Sequence, residues 1–185
     1  MTAVFIIHGS YGYPEENWFP WLKAELEKLG LEVLVPKFPT PENQNLVAWL
    51  NVIKDHDAHF DKFSILVGHS MGCALILRKL ELLHKQVNAV FFVGGFTKDL
   101  WIGKYSKIID TFFDKPFDWK NIRSKSKKFL IFQSDNDPLV PMSMGKELSQ
   151  NVEGRLIIVK NAGHFNKESG YTKFNLLLEQ IKKEL

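Results

Sequence analysis

Six short runs rich in Val, Ile and Phe recur along the chain, and between them apolar residues fall at three- and four-residue spacing. This alternation leaves few folds open, because strands joined through helices return in parallel and build one sheet by β-α-β crossovers. Strands are expected at Ala3 to Ile7, Glu32 to Val35, Phe63 to Val67, Ala89 to Val93, Phe129 to Phe132 and Arg155 to Val159. Most are apolar at consecutive rather than alternate positions, as in strands covered by helices on both faces. The expectation is an α/β fold, a three-layer sandwich with a mostly parallel central sheet between two helical layers. With 185 residues against about 150 for an average domain, residues 1–185 read as a single domain.

Trp18, Trp21, Leu22, Leu26 and Leu29 mark the first crossover helix, with Asn17 as its N-cap and Gly30 as its stop. Leu46, Trp49, Leu50 and Ile53 form a second stripe, Ala74 to Leu83 a third helix, and Phe174, Leu177, Leu178 and Ile181 a closing one. The connection from Gly94 to Lys128 spans 35 residues, more than a minimal crossover needs. It carries Phe96, Trp101, Tyr105, Phe112, Phe113, Phe117 and Trp119, which either anchor a helix on the sheet or form the wall or cap of a substrate pocket.

Composition narrows the partners. Lys and Arg number 24 against 21 Asp and Glu, a net charge of +3, too small for nucleic acid or an anionic membrane to be the main partner. Cys73 is the single cysteine, so neither an intrachain disulfide framework nor a Cys-rich zinc site can form, and a reducing, cytoplasmic setting is expected. No apolar stretch approaches the about 18 residues of a spanning helix, and the first strand starts almost at Met1, so neither a membrane span nor a signal peptide is expected. Lys182 to Leu185 loosely resembles an ER-retention tail and reads as a helix end.

The chemistry gathers at three strand ends. Gly68-His69-Ser70-Met71-Gly72 lies between an expected strand and an expected helix, the pattern of a nucleophile elbow. A turn that sharp has room only for small residues two before and two after the serine, and it lifts the hydroxyl out at the C-terminal edge of the sheet. The helix that follows points amide donors and its dipole at the reacting centre. A serine hydroxyl needs a base, and His164, in Asn161-Ala162-Gly163-His164-Phe165 after the last strand, is the candidate. The imidazole in turn needs a carboxylate; Asp135 and Asp137 both follow the strand Phe129 to Phe132.

These stretches carry a resemblance. The chain resembles compact α/β-hydrolases, and within them the small single-domain serine hydrolases of the retinoblastoma-binding-protein type. The likeness rests on His8-Gly9-Ser10 after the opening strand, the tryptophan-bearing helix from Asn17, the Gly68 to Gly72 elbow, the Asp135 to Pro141 segment and Gly163-His164-Phe165, which are distributed over almost the whole chain. It implies a catalytic triad of Ser70, Asp137 and His164, with Asp137 rather than Asp135 as the acid because Asp137 precedes Val140-Pro141 at the family's spacing. It also implies an oxyanion hole from the backbone N–H groups of Met71 and Ser10. The Leu-x-Cys-x-Glu peptide used by many ligands of the retinoblastoma protein is absent, since Met71 stands two before Cys73 and Leu75 two after. Partner binding is therefore not carried over.

The activity expected is hydrolysis of a small ester, thioester or amide through an acyl-enzyme, with no cofactor and no metal. Two rival readings are a catalytically silent α/β-hydrolase fold serving as a protein-interaction module and a nucleotide- or flavin-binding doubly wound domain. The second is weakened because His8-Gly9-Ser10-Tyr11-Gly12 stands where a Gly-x-Gly-x-x-Gly run belongs. His8 is expected to order its loop through hydrogen bonds, His69 to line the pocket or pack, and Cys73 to be a buried small hydrophobe rather than a second nucleophile. Asp55, His56, Asp57, His59 and Asp61 mix hard and soft donors without a recognisable ligand spacing and read as a solvated helix end. Lys120, Arg123, Lys125, Lys127 and Lys128 place five positive charges in nine residues and read as a solvated segment entering the next strand.

Overall fold

Strands buried on both faces need a layer of helix on each, and the computed structural model, which describes residues 2–100 and 106–185, has that arrangement. The strands are β1 (Ala3–Ile7), β2 (Glu32–Leu34), β3 (Ile65–His69), β4 (Val87–Val93), β5 (Ser126–Ser134) and β6 (Arg155–Val159). The helices are α1 (Phe19–Glu27), α2 (Leu46–Lys54), α3 (Met71–Leu82), α4 (Ser106–Phe113), α5 (Trp119–Ser124), α6 (Met142–Val152) and α7 (Asn175–Lys182). The sheet order is β2-β1-β3-β4-β5-β6 and every neighbouring pair is parallel. The chain leaves β1 toward β2 and then returns across β1 to β3. At such a reversal the loops after β1 and β3 diverge and open a crevice at the C-terminal edge.

Successive side chains of each strand feed opposite layers. Val4, Ile6, Val67, Phe91 and Phe132 meet α1 and α7 through Trp18, Phe19, Leu22, Leu26, Leu177 and Ile181. On the other face Phe5, Ile7, Leu66, Phe92 and Ile131 pack under Trp49, Leu77, Phe112, Ile122 and Leu148 from α2 to α6.

Three local expectations are corrected. β3 covers Ile65–His69 rather than Phe63 to Val67: the Asp61 carboxylate accepts from the Phe63 N–H at 2.8 Å and leaves Phe63 exposed, so turn chemistry outweighs the β-propensity of Phe63. β5 extends to Ser126–Ser134, with Lys127 and Lys128 exposed along it. Asn17 is not the N-cap of α1; Trp18 occupies that position, and Asn17, in a left-handed conformation at φ 53°, accepts instead from the Lys167 N–H at 2.8 Å.

The long connection supplies α4 and α5. Phe96, Phe112 and Phe117 are buried and Phe113 and Trp119 pack against the same core, so most of its aromatics are anchors; Trp101 and Tyr105 lie outside the described residues. Arg78 of α3 ties the connection down. Its Nε donates to the Phe112 carbonyl at 2.9 Å, its Nη atoms to the carbonyls of Lys115 and Pro116, and its guanidinium lies 3.9 Å from the centre of the Phe117 ring beside the Glu81 carboxylate. A planar fork of five donors suits this role where an ammonium does not.

Four expected outcomes follow from these local geometries. A Cβ on Gly72 would lie 2.4 Å from the Ile7 carbonyl oxygen and 2.8 Å from that of His8, so Gly72→Ala should lower stability in denaturant unfolding by about 2–3 kcal/mol. Gly30→Ala, with φ 77° but nothing within 4 Å, should cost only about 1 kcal/mol. Arg78→Met should lose about 2 kcal/mol by leaving the buried Phe112 carbonyl unpaired, and Arg78→Lys should recover less than half of it in the same measurement.

Candidate active site

The turn from β3 into α3 is tight at every atom that matters. Ser70 has φ 53° and ψ −120°, a conformation that a residue with a side chain adopts only under constraint. The constraint comes from both neighbours. The Ser70 N–H donates to the Val93 carbonyl of β4 at 2.9 Å, and Gly72 rests on the carbonyls at the end of β1. A Cβ on Gly68 would stand 2.9 Å from the Cys73 nitrogen, so glycine is required on both sides of Ser70, as the spacing predicts. Gly9 lies against the serine from the β1 side, since its Cβ would stand 2.9 Å from Ser70 Cβ and 3.3 Å from Oγ.

Of the two aspartates, Asp137 meets the histidine: His164 Nδ1–H donates to its Oδ2 at 2.8 Å. The same carboxylate accepts from the N–H groups of Leu139 and Val140 through Oδ1, at 2.8 and 2.9 Å, and its side chain is fully buried. With Nδ1 protonated, His164 keeps its lone pair on Nε2. Asp135 does something else, accepting from the Asn161 N–H at 2.8 Å from an exposed position. Its neighbours behave alike: Ser134 Oγ accepts from the Ala162 N–H at 3.1 Å and Asn136 Oδ1 from the Gly163 N–H at 2.8 Å. Residues 134–137 thus grip residues 161–164 one by one. Ser134 and Asn136 carry no sequence signal for this role, because short polar residues after a strand are ordinary turn formers.

Ser70 and His164 line one cavity of about 350 Å³ at the C-terminal edge of the sheet. Among the described residues no direct hydrogen bond joins the Ser70 hydroxyl to His164, a contact that commonly tightens when substrate arrives. The Met71 N–H opens α3 and has no partner within the helix. Ser10 also lines the cavity. Its loop is braced by a relay the sequence did not reveal: the Tyr11 N–H donates to Thr40 Oγ1 at 2.7 Å, Thr40 Oγ1 to Gln44 Oε1 at 2.5 Å, and Gln44 Nε2 to Ser10 Oγ at 2.7 Å. Phe96, Leu100, Ile109, Leu139 and Val140 give the cavity apolar lining, and Glu16, Asn17, Asn166 and Glu168 give it polar lining.

The remaining candidates fall outside this chemistry. His8 accepts from the Phe38 N–H at Nε2 (3.0 Å) and donates from Nδ1 to the Gly9 carbonyl (2.8 Å), so it orders the Gly9 loop as a neutral ring, which burial favours by lowering its pKa. His69 donates from Nε2 to the His164 carbonyl at 2.8 Å. Burial, and then the neighbouring His164, push its pKa down to about 3, so it stays neutral while lining the cavity. Burial raises the Cys73 thiol pKa far above the ordinary range, which leaves it an inert core residue. In the His56 region, Asp57 pairs with Lys79 and His59 with Glu32. Among the described residues no cluster of three or more His, Cys, Asp or Glu side chains is set to hold a metal, and no helix is long and apolar enough to cross a membrane.

Comparison with known proteins gives the site its context. The family model described as serine hydrolase matches residues 4–183. The putative hydrolase YdeN of Bacillus subtilis is 33% identical over 180 residues, covering 96% of this chain and 93% of YdeN. The serine hydrolase RBBP9 of Rattus norvegicus is 27% identical over 187 residues, covering 100% and 96% of the two chains. The crystal structure of the B. subtilis ydeN gene product superposes with a TM-score of 0.90 at 30% identity, over 100% of this chain and 98% of the other. An all-parallel α/β sheet with a glycine-flanked serine at its central elbow, matched by this family over nearly its full length, makes the chain a member of the serine hydrolase family with an α/β-hydrolase fold.

Proposed function

We propose that the chain is a single catalytic domain that hydrolyses a small ester, thioester or amide through an acyl-enzyme on Ser70, with His164 as base and acid and Asp137 holding the imidazole. The observation that carries this reading is the buried Asp137–His164 pair, 2.8 Å apart, opening on the same cavity as Ser70. A cytoplasmic setting belongs to the reading, supported by a lone buried thiol at Cys73.

The chemistry runs in two halves. Ser70 Oγ forms a bond to the substrate carbonyl carbon while its proton passes to His164 Nε2, and the carbonyl oxygen takes the negative charge. The N–H groups of Met71 and Ser10 are the proposed donors to that oxyanion, each worth about 3 kcal/mol by comparison with measured cases. The bond to the leaving group breaks as His164 returns the proton to it. Water then attacks the acyl-enzyme, loses a proton to His164, and the acid departs as Ser70 recovers its hydrogen. Asp137 stays ionised throughout and stabilises the imidazolium. The catalytic reading is favoured over a silent interaction module by the 2.8 Å contact between His164 and the buried Asp137 carboxylate and by the cavity that Ser70 and His164 share.

Covalent labelling by a fluorophosphonate, followed by intact mass, tests the assignment. Wild type should take one adduct and Ser70→Ala none. Asp137→Asn and His164→Ala should slow labelling by about 10²–10⁴, whereas Asp135→Asn, which touches only the Asn161 N–H, should stay within about tenfold of wild type. A folded wild type that remains unlabelled would overturn the reading.

A further inference from the structure

The loop that carries His164 is gripped on one side by residues 134–137, and a separate device holds its other side. Directly after the histidine the chain turns through Phe165 at φ 52°, a left-handed conformation that a bulky residue adopts only where its surroundings enforce it. The Phe165 ring is fully buried and stacks on that of Phe174 with centres 5.4 Å apart, which fixes the side chain. The backbone is fixed by two ring donors. His69 Nε2 donates to the His164 carbonyl at 2.8 Å and Trp18 Nε1 to the Phe165 carbonyl at 3.0 Å, so successive carbonyls of the turn are each held by an aromatic N–H. The two donor rings meet edge to face with centres 6.1 Å apart, and Phe19 meets His69 in the same manner at 5.8 Å. Asn17 Oδ1 extends the grip by accepting from the Lys167 N–H at 2.8 Å.

The chemistry of His69 points to the donor as its purpose. The residue is 3% exposed and its Nδ1 has no hydrogen-bond partner. A buried acceptor left unpaired costs free energy, and an apolar ring would fill the same space without that cost; what histidine adds is the N–H at Nε2. Its ring lies 5.0 Å from that of His164, and its backbone runs directly into Ser70. Trp18 is fully buried and is not among the described residues that line the cavity, so it reaches the chemistry through the turn it holds.

We propose that Trp18 and His69 are positioning residues for the reaction, an aromatic donor pair that holds the strained His164–Phe165 turn and so fixes where the imidazole stands relative to Ser70. The inference rests on the serine hydrolase reading above. Asp137 sets the tautomer and direction of the ring, and the donor pair sets the place of the backbone that carries it. Turnover falls steeply when a reacting group is displaced by a fraction of its contact distance, so release of the turn should reduce the chemical step far more than substrate binding.

Turnover of p-nitrophenyl butyrate, with active sites counted by fluorophosphonate labelling, tests the pair. Trp18→Phe removes the indole N–H from a residue outside the cavity; it should lower kcat per labelled site by about 10–100-fold and leave KM within about twofold of wild type. His69→Phe should lower kcat to a similar degree, and His69→Gln, which returns a donor at similar reach, should recover most of the loss. A folded Trp18→Phe that keeps the wild-type kcat overturns the proposal, as does a His69→Gln no better than His69→Phe. Should Trp18→Phe fail to fold, the comparison at His69 decides. A spectroscopic readout follows the turn itself: the His164 Nδ1 proton shared with Asp137 is sought as a downfield proton NMR resonance, assigned by its loss in His164→Ala. It should shift or broaden in His69→Phe and return in His69→Gln, and a resonance unmoved by His69→Phe counts against the pair. Failure of the hydrolase reading is distinct, because wild type itself is then neither labelled nor active, whereas failure of the pair leaves an active wild type whose variants match it.

Discussion

Everything at the active edge depends on how closely the first turn of α3 approaches the end of β1. Gly72 lies so near the Ile7 and His8 carbonyls that no side chain fits, and this contact, with the hydrogen bond from the Ser70 N–H to β4, holds Ser70 in its strained conformation. Strain of this kind persists only where the surroundings over-determine it. Here they do so from two strands, both buried in the sheet between two helical layers. The rigidity of the sheet is thereby transferred to one hydroxyl.

The same economy governs the other half of the site. Residues 134–137 and 161–164 lie at and beyond the C-terminal ends of the neighbouring parallel strands β5 and β6 and are docked through four hydrogen bonds, of which only that from His164 to Asp137 involves the ring. The first three place the loop, and the loop then presents the imidazole to Oδ2 of a carboxylate whose Oδ1 is held by the Leu139 and Val140 amides. Such an arrangement limits the freedom of His164 before any substrate binds, and pre-organisation is where much of the rate in acyl transfer originates. His69 adds a further tie by donating to the His164 carbonyl from the residue next to Ser70. The two halves of the site are linked through backbone as well as across the cavity.

The long connection between β4 and β5 fits this frame as a wall built on top of the fold. Its aromatics are mostly spent on the core, and Arg78 anchors it from α3, the same helix whose N-terminus faces the cavity. Phe96 and Ile109 then line the cavity. The mixed lining is contributed by separate loops brought to one edge by parallel topology.

The strand-helix alternation, the glycine-flanked serine and the histidine after the last strand were all legible in the sequence, because periodicity and small-residue spacing are local consequences of backbone geometry. Boundaries were less so: β3 starts two residues late because Asp61 captures the Phe63 amide, and Asn17 turns from helix cap to loop clasp because Lys167, 150 residues away, offers it a better-placed donor. The residues alone left Asp135 and Asp137 as equivalent partners for His164, and only the resemblance to known hydrolases favoured one. Tertiary structure distinguishes their contacts, giving Asp137 the ring and Asp135 a backbone amide. The same holds for Thr40 and Gln44, ordinary loop residues in sequence that acquire meaning by position. A pattern along the chain encodes which elements form, since that is settled by neighbours within a turn or two; which side chains share a cavity is settled by packing between elements distant in sequence, and that information exists only in the folded molecule.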